Sequence, residues 1–249
     1  MGFGGAAPGG DVTVGEYVIA LGAVALGALA QGSVGFGFGM LAAPILAIVD
    51  ERLIPGTVLV LGLTTAIFVA WQERGELDWV GIRWALVGRV LGTGAGVYVV
   101  TLLDQDQLAI ALGVFILVAV AMSVAGWHVE PTSAALVGAG TLSGMMGTIT
   151  SIGGPPMALV YQREQASKLR STLAGFFLFG ASFALLTLAV TGELSGRQVR
   201  DGIVLLPGLV VGLLASRRLG KYLDHGWTRP AVLAMSTAAA VVLVIGAVA

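Results

Sequence analysis

The sequence predicts an all-α polytopic membrane protein made of two homologous halves. Of its 249 residues, 57% are hydrophobic and only 11% are charged, and the mean hydropathy is +0.94. A soluble domain carries roughly 25% charged residues. The halves are indicated by an internal match at a shift of 112 positions, which aligns Gly32 with Gly144, Gly35 with Gly147 and Pro44 with Pro156.

Eight apolar blocks follow one another, four in each half. They are residues 12–49, 53–71, 79–103, 107–127, 132–161, 169–191, 198–215 and 228–249. We therefore expect a short N-terminal tail (1–11), a first transmembrane repeat (12–127), a connection (128–131) and a second transmembrane repeat (132–249). The tail lacks the basic region of a signal peptide, so the first block should be retained.

The first block of each half is too long for one straight span. As single helices, residues 12–49 would extend ~57 Å and the charge-free residues 131–162 ~48 Å, against a hydrocarbon core of ~30 Å. We expect each to break or re-enter at a Gly/Pro-rich motif, since proline suits only the first turn of a helix. In the first half a half-helix should start at Pro44. In the second, a helix should end near Gly147 and a half-helix should start near Pro156, after Pro155.

The relation between the halves depends on these broken blocks. If each turns back on itself, each half has five membrane segments and the repeats are inverted. If each crosses once, each half has four spans and the repeats are parallel. The positive-inside rule slightly favours five segments, because nine basic residues then share one face against three on the other. Both versions place the N- and C-termini outside the cytoplasm.

The broken segments are the candidate binding site. Irregular backbone at membrane depth persists only where protein or a watery cavity satisfies it, and paired broken segments are typical of a transporter site. Half-helix N-termini offer free N–H groups and a positive dipole end, which suit a small oxyanion. The alternative is that the nearby hydroxyls only satisfy freed carbonyls. The candidate residues are Gln31, Ser33, Gly35, Gly37, Thr148, Thr150, Ser151, Gly153 and Gly154.

The placement of charge also favours an anion. All fourteen acidic residues lie in connections or at block ends, which argues against a cation pump or a relay of buried carboxylates. The deepest charged residue is Arg89, which could attract an anion. The alternative is that Arg89 snorkels to the interface or pairs with a loop carboxylate.

Glycines at four-residue spacing indicate close helix packing. Gly88, Gly92 and Gly96 recur in the second half as Gly208, Gly212 and Ser216. Small residues at this spacing let membrane helices approach one another closely, so we interpret these positions as packing residues rather than substrate contacts.

Several functions are excluded. The chain has no cysteine and only two histidines, both beside loops, so we expect no metal and no redox site. It has no catalytic constellation for an intramembrane protease and no nucleotide-binding motif. We therefore expect a protein that is not an enzyme, with no cofactor and no nucleic-acid partner. Its partners would be a small anion and the lipid bilayer, and a homo-oligomer is left open.

Two motifs in matching halves resemble the signatures of the TauE/SafE sulfite and sulfonate exporter family. One spans residues 31–44; the other spans residues 143–156 and is followed by Tyr161 and by residues 168–172. The resemblance covers essentially the whole chain. It implies a multi-pass carrier of the cell membrane that moves sulfite, organosulfonates or related anions, commonly outward. The alternatives are a channel-like facilitator for small anions and a non-transporting membrane scaffold.

Overall fold

The computed structural model describes residues 13–73, 75–100, 102–103, 105–124, 129–150 and 153–223, with isolated positions between 234 and 245. In this part of the chain every regular element is helical. The α-helices are α1 (Val14–Val34), α2 (Phe38–Val49), α3 (Gly56–Gln72), α4 (Trp79–Val100), α5 (Gln105–Val124), α6 (Ser133–Thr150), α7 (Gly154–Tyr161), α8 (Ala166–Thr191) and α9 (Gly196–Leu223). A short 3₁₀ helix (Glu51–Leu53) precedes α3. The predicted tail and most of the last apolar block lie outside the described residues.

Three of the described helices are long and apolar enough to cross a membrane. They are Val14–Val34, Ala166–Thr191 and the segment Gly196–Arg218 of α9. Shorter apolar helices lie between them, including α2, α3 and most of α6. Because each helix satisfies its own backbone hydrogen bonds, this arrangement suits a multi-pass membrane protein.

Helix α1 has well-defined signals at both ends. At its start Thr13 and Glu16 form a capping box, in which each side chain accepts a hydrogen bond from the other residue's backbone N–H. At its end Gly35 adopts φ +93°, and Gly37 follows at φ +114°. These left-handed conformations favour glycine because a Cβ atom would be strained there. The chain therefore turns between α1 and α2 at residues 35–37, which we call the first junction.

Pro44 does not start a helix, which corrects the sequence prediction. Helix α2 begins at Phe38, and Pro44 lies inside it. The turn comes from Gly35 and Gly37 of the first junction, which lie nine and seven residues before the proline. At the second junction, between α6 and α7, the boundaries are closer to those expected. Helix α6 ends at Thr150 rather than near Gly147, and α7 begins at Gly154, so Pro155 and Pro156 lie in its first turn.

Two apolar cores hold the helices together. The α1–α9 core joins α1, α2, α3 and α9 through buried residues that include Val24, Leu46, Leu61, Leu205 and Leu209. The α4–α6 core joins α4, α6 and α7, with α5 packed against it, through buried residues that include Ala85, Leu136, Met146, Met157 and Tyr161. Helices α2 and α8 contribute residues to both cores.

The closest helix pairs combine one helix from each half. Helix α4 packs mainly on α6, α1 on α9, and α3 on α8. At the first two interfaces glycines meet the partner's backbone: a Cβ atom at Gly88 would overlap the Val137 carbonyl, and one at Gly212 would overlap the Ala25 carbonyl. The interpretation of these glycines as packing residues is therefore confirmed.

Polar contacts tie the helices at two separate places. In one, Arg170 Nη2 lies 2.9 Å from Glu73 Oε1, and Arg217 Nε donates to Gln72 Oε1 over 2.9 Å. In the other, the buried carboxylate of Asp201 accepts a hydrogen bond from the Tyr17 hydroxyl and lies 3.6 Å from Arg197 Nε. Helix α9 carries Arg197 and Asp201 near its beginning and Arg217 near its end, so the two clusters lie at opposite ends of this helix.

Candidate anion site

A cavity of about 70 Å³ lies where the two junctions meet. It is lined by α1, α2, α3 and α4 of the first half and by α6, α7 and α8 of the second half. Its lining residues are Gln31, Gly37, Phe38, Gly39, Met40, Val58, Leu59, Gly62, Arg89, Gly147, Gly153, Gly154, Pro155, Phe177 and Ala181. Among the described residues of this lining, Arg89 has the one charged side chain.

Arg89 is buried, with 8% of its surface exposed. Its Nη1 donates to Ser143 Oγ over 3.4 Å, and its guanidinium carbon lies 4.9 Å from the centre of the Phe176 ring. Its Nε has no acceptor, and within the described residues Arg89 forms no ion pair. Among the described residues, therefore, Arg89 neither reaches the surface nor pairs with a carboxylate. A buried guanidinium without a carboxylate is costly unless an anion neutralises it.

Ser143 connects Arg89 to the second junction. Its hydroxyl accepts from Arg89 and donates to the carbonyl of Gly153. Arg89 also lies close to Gly147 and Gly180, and a Cβ atom at Gly180 would overlap its Nε. The Ser143 hydroxyl and the Phe176 ring therefore hold the guanidinium in place, and the absence of side chains at Gly147 and Gly180 leaves the space that it occupies.

The first junction supplies backbone donors at the start of α2. The first N–H groups of a helix have no intrahelical acceptor. One of them, on Phe38, donates to Gln31 Oε1 over 3.3 Å. The N–H groups of Gly39 and Met40 belong to the same first turn, and both residues line the cavity. Gln31 thus has two places in the site: it caps α2 and it lines the cavity.

The second junction supplies fewer donors than the sequence analysis expected. Helix α7 starts at Gly154, and the next two residues are Pro155 and Pro156. Proline has no N–H, so two of the three positions of the first turn cannot donate. Of the first-turn amides, only that of Gly154 can donate to a ligand. The expected half-helix start at Pro44 is wrong, because Pro44 lies inside α2, and the start of α7 offers one first-turn N–H group, that of Gly154.

The predicted site residues divide into three groups. Gln31, Gly37, Arg89, Gly153 and Gly154 line one cavity. Other predicted residues lie outside its lining: Gly35 packs against Leu169 and Arg170, Thr148 donates to the Gly144 carbonyl, and the buried Ser33 Oγ has no hydrogen-bond partner among the described residues. Ser151 and the side chain of Thr150 lie outside the described residues.

Sequence reasoning missed several residues of the site. Ser143 was not among the predicted site residues, although a polar side chain in the middle of the apolar helix α6 is a signal that the sequence contains. The apolar lining from α3 and α8, for example Val58 and Phe177, carried no local signal. Their place in the site depends on how α3 and α8 pack, which no single block of sequence specifies.

These features define a class of protein: a multi-pass helical membrane protein with a cavity that helices of both halves line and that contains a buried arginine. Comparison with known families identifies it further. The model of the family described as Sulfite exporter TauE/SafE matches residues 19–243, which is nearly the whole chain. The protein belongs to this family and is a membrane transporter. No curated protein and no solved structure matches the chain significantly.

Proposed function

We propose that this protein is a secondary carrier that exports small sulfur-containing anions and binds them in the cavity beside Arg89. The observation that carries the proposal is a buried guanidinium without an ion pair among the described residues, inside a cavity lined by both junctions. The sign of the ligand's charge follows from Arg89. The sulfur chemistry and the outward direction are inferred from the family.

We further propose that the halves are inverted repeats with re-entrant first blocks. The pattern of packing supports this. The first helix of each half packs on the fourth helix of the other half, α1 on α9 and α6 on α4, and the third helices pack on each other. A two-fold rotation that exchanges the halves therefore maps the α1–α9 contact onto the α6–α4 contact and the α3–α8 contact onto itself. Five elements per half, an odd number, would give the halves opposite orientations in the bilayer.

The location of the polar clusters supports the same topology. Five segments per half require the end of α3 to share a face with Arg170 and Arg217. Gln72, the last residue of α3, contacts Arg217, and Glu73, which follows it, contacts Arg170. This face carries most of the basic residues, and we assign it to the cytoplasm by the positive-inside rule. In this topology both termini lie outside the cytoplasm, and the protein resides in the cell membrane.

The packing indicates which helices would move together during transport. Rocking one sequence half against the other would separate α4 from α6 and α1 from α9, where backbones touch. We therefore propose that the moving bodies each contain helices of both halves: α1 and α9 with most of α2 and α3 in one, and α4, α5, α6 and α7 in the other. The cavity lies between these bodies, so their relative movement would open it to one side at a time.

The test is anion flux by purified protein in proteoliposomes. Arg89→Gln should lower sulfite flux about thirtyfold or more, because removing a charge contact from a desolvated site costs about 2 kcal/mol or more. Arg83→Gln is the matched control, since Arg83 lies on the same helix but is exposed. Both variants should reach the membrane in equal amounts.

The same assay separates the alternatives. A carrier saturates and shows counterflow of labelled anion against an excess of unlabelled anion, whereas a channel-like facilitator shows neither. A scaffold shows no flux in any variant. Equal flux by Arg89→Gln and Arg83→Gln would refute the assignment of the site to Arg89.

A further inference from the structure

A second cavity lies beside the first, along helix α7. Its volume is about 90 Å³. Its lining residues are Val34, Phe36, Met122, Pro155, Ala158, Leu159, Gln162 and Leu169. Pro155 also lines the first cavity, so the two cavities meet at the start of α7. Among the residues that the structure describes, the other seven line the second cavity alone.

One face of α7 forms a wall of this cavity. Four lining residues are spaced by three or four positions, which places them on the same side of the helix: Pro155, Ala158, Leu159 and Gln162. This wall extends ~10 Å along the helix axis. Pro155 is buried at the second junction, whereas Gln162 is partly exposed at the connection to α8. The cavity therefore leads from the second junction to the end of α7 that lies near Arg170, on the face that we assign to the cytoplasm.

Phe36 of the first junction contacts the second junction where the two cavities meet. Its side chain is buried and lines the second cavity but not the first. Gly154 lines the first cavity, and a Cβ atom built on it would lie 3.1 Å from the Cβ atom of Phe36. The two junctions therefore touch at the boundary between the cavities.

The walls of the second cavity come from both of the bodies that we propose to move. Val34 and Phe36 belong to the body that contains α1, whereas Met122 and the α7 residues belong to the body that contains α4 and α6. Movement of one body relative to the other would widen this cavity and separate Phe36 from Gly154. Apart from Gln162 the lining is apolar, so an anion can cross it only when the passage is wide enough to hold water.

Building on the function proposed above, we propose that the second cavity is the cytoplasmic section of the transport path, and that Phe36 is the gate between this section and the anion site. With Phe36 against Gly154, the anion site is closed toward the cytoplasm. When the two bodies separate, Phe36 moves away with the first junction. The anion then travels along α7 between the anion site and the connection to α8.

The experiment uses single cysteines, because the chain has none of its own. Ala158→Cys and Met122→Cys place a thiol in the second cavity, on α7 and on α5. Val160→Cys is the matched control, since Val160 lies on α7 and is buried like Ala158 but is outside the described lining of both cavities. Each variant is treated in inside-out membrane vesicles with a negatively charged thiol reagent that does not cross the bilayer. Sulfite flux is measured before and after the treatment.

Both thiols in the cavity should react about tenfold or more faster than the thiol of Val160→Cys, because a buried thiol without access to the reagent is inert. The reaction should also block sulfite flux, since a cavity of about 90 Å³ has little room for both the added group and an anion. Two positions on different helices are used, so that a variant without flux before treatment leaves the other to decide.

The gate is tested with a thiol on the far side of Phe36. Ala181→Cys places this thiol in the lining of the anion site. The reagent, added from the cytoplasmic side, should reach it about tenfold or more faster when Phe36→Ala removes the ring. The control is Phe115→Ala, which removes the same ring from α5 at a position outside the described lining of both cavities.

The outcomes separate this inference from the proposed function. Fast labelling in the second cavity that blocks flux, together with faster labelling of Ala181→Cys in Phe36→Ala than in Phe115→Ala, supports the proposal. If the native chain transports sulfite but labelling in the second cavity is slow or leaves flux unchanged, this cavity lies outside the path, and the inference is overturned while the carrier function stands. Equal labelling of Ala181→Cys in both backgrounds would overturn the assignment of the gate to Phe36. If the native chain carries no sulfite, both the inference and the proposed function fail.

Discussion

The contact between α4 and α6 yields a sharp prediction, because α4 carries a matched pair of glycines. At Gly92 a Cβ atom would overlap the Thr141 carbonyl oxygen and lie 2.7 Å from its carbon, so the two backbones would have to separate. At Gly94, two residues further along, a Cβ atom would meet nothing within 4 Å. Gly92→Ala and Gly94→Ala therefore add the same methyl group to the same helix, once against backbone and once into open space.

The expected stabilities follow from two effects. Replacing glycine by alanine in a helix stabilises it by about 1 kcal/mol, and both variants share this gain. Overpacking destabilises by about 1–3 kcal/mol and applies only at Gly92. The variants should thus differ by about 1–3 kcal/mol, with Gly94→Ala the more stable. For a chain of this size that corresponds to roughly 2–12 °C in Tm.

The assay is thermal unfolding of both purified variants in the same detergent at the same scan rate. Because the shared gain in helix propensity cancels, the difference in Tm isolates the packing term. If Gly92→Ala unfolds at the same temperature as Gly94→Ala or above it, the close approach of α4 and α6 is refuted. The interpretation of the paired glycines would fail with it.

Three further predictions concern the site. Gly180→Ala should displace the Arg89 guanidinium and weaken anion binding about tenfold or more. The control is Gly175→Ala on the same helix, which displaces only the ends of the Leu77 and Ile82 side chains. Equal anion binding by the two variants would contradict the role of Gly180. Because the chain has no cysteine, the pair Phe36→Cys and Gly154→Cys, which joins the two junctions, should form a disulfide that blocks flux until a reductant is added. The control pair Gly27→Cys and Ala42→Cys joins α1 to α2 within one moving body and should not block flux. Flux that continues with the Phe36–Gly154 cross-link in place would show that transport does not require the two junctions to separate. Finally, the affinity for sulfite should fall as the pH rises and the dianion replaces hydrogen sulfite, while the affinity for methanesulfonate stays constant. Titration calorimetry over a range of pH measures both affinities. Parallel pH profiles for the two ligands would show that the site does not discriminate between a monoanion and a dianion.

Much of this architecture could be predicted from the sequence, because the signals are local or repeated. The excess length of the first blocks predicted where the chain must turn, and glycines at four-residue spacing predicted close helix contacts. Arg89 was recognisable because a cation deep in an apolar block has few structural uses.

The remainder depends on tertiary contacts. The sequence does not say on which side of Pro44 a helix begins. The turn is set by Gly35 and Gly37 and their positive φ values, which the residue types permit but do not require. Thr148 was predicted to face the ligand, but it satisfies a carbonyl of its own helix, an option open to any threonine in a helix. The apolar walls from α3 and α8 follow from the way the halves interlock.

The pairing of α1 with α9 also has a consequence for how the protein is made. Helix α1 ends at Val34 and is synthesised first, but its main partner begins only at Gly196. At ordinary elongation rates the ribosome needs roughly 8–30 s to reach that point. During this interval the surface of α1 that later receives the glycines of α9 faces lipid or other helices. The bilayer tolerates the delay because a helix satisfies its own backbone. The α1–α9 pair can therefore form only after α9 has entered the membrane.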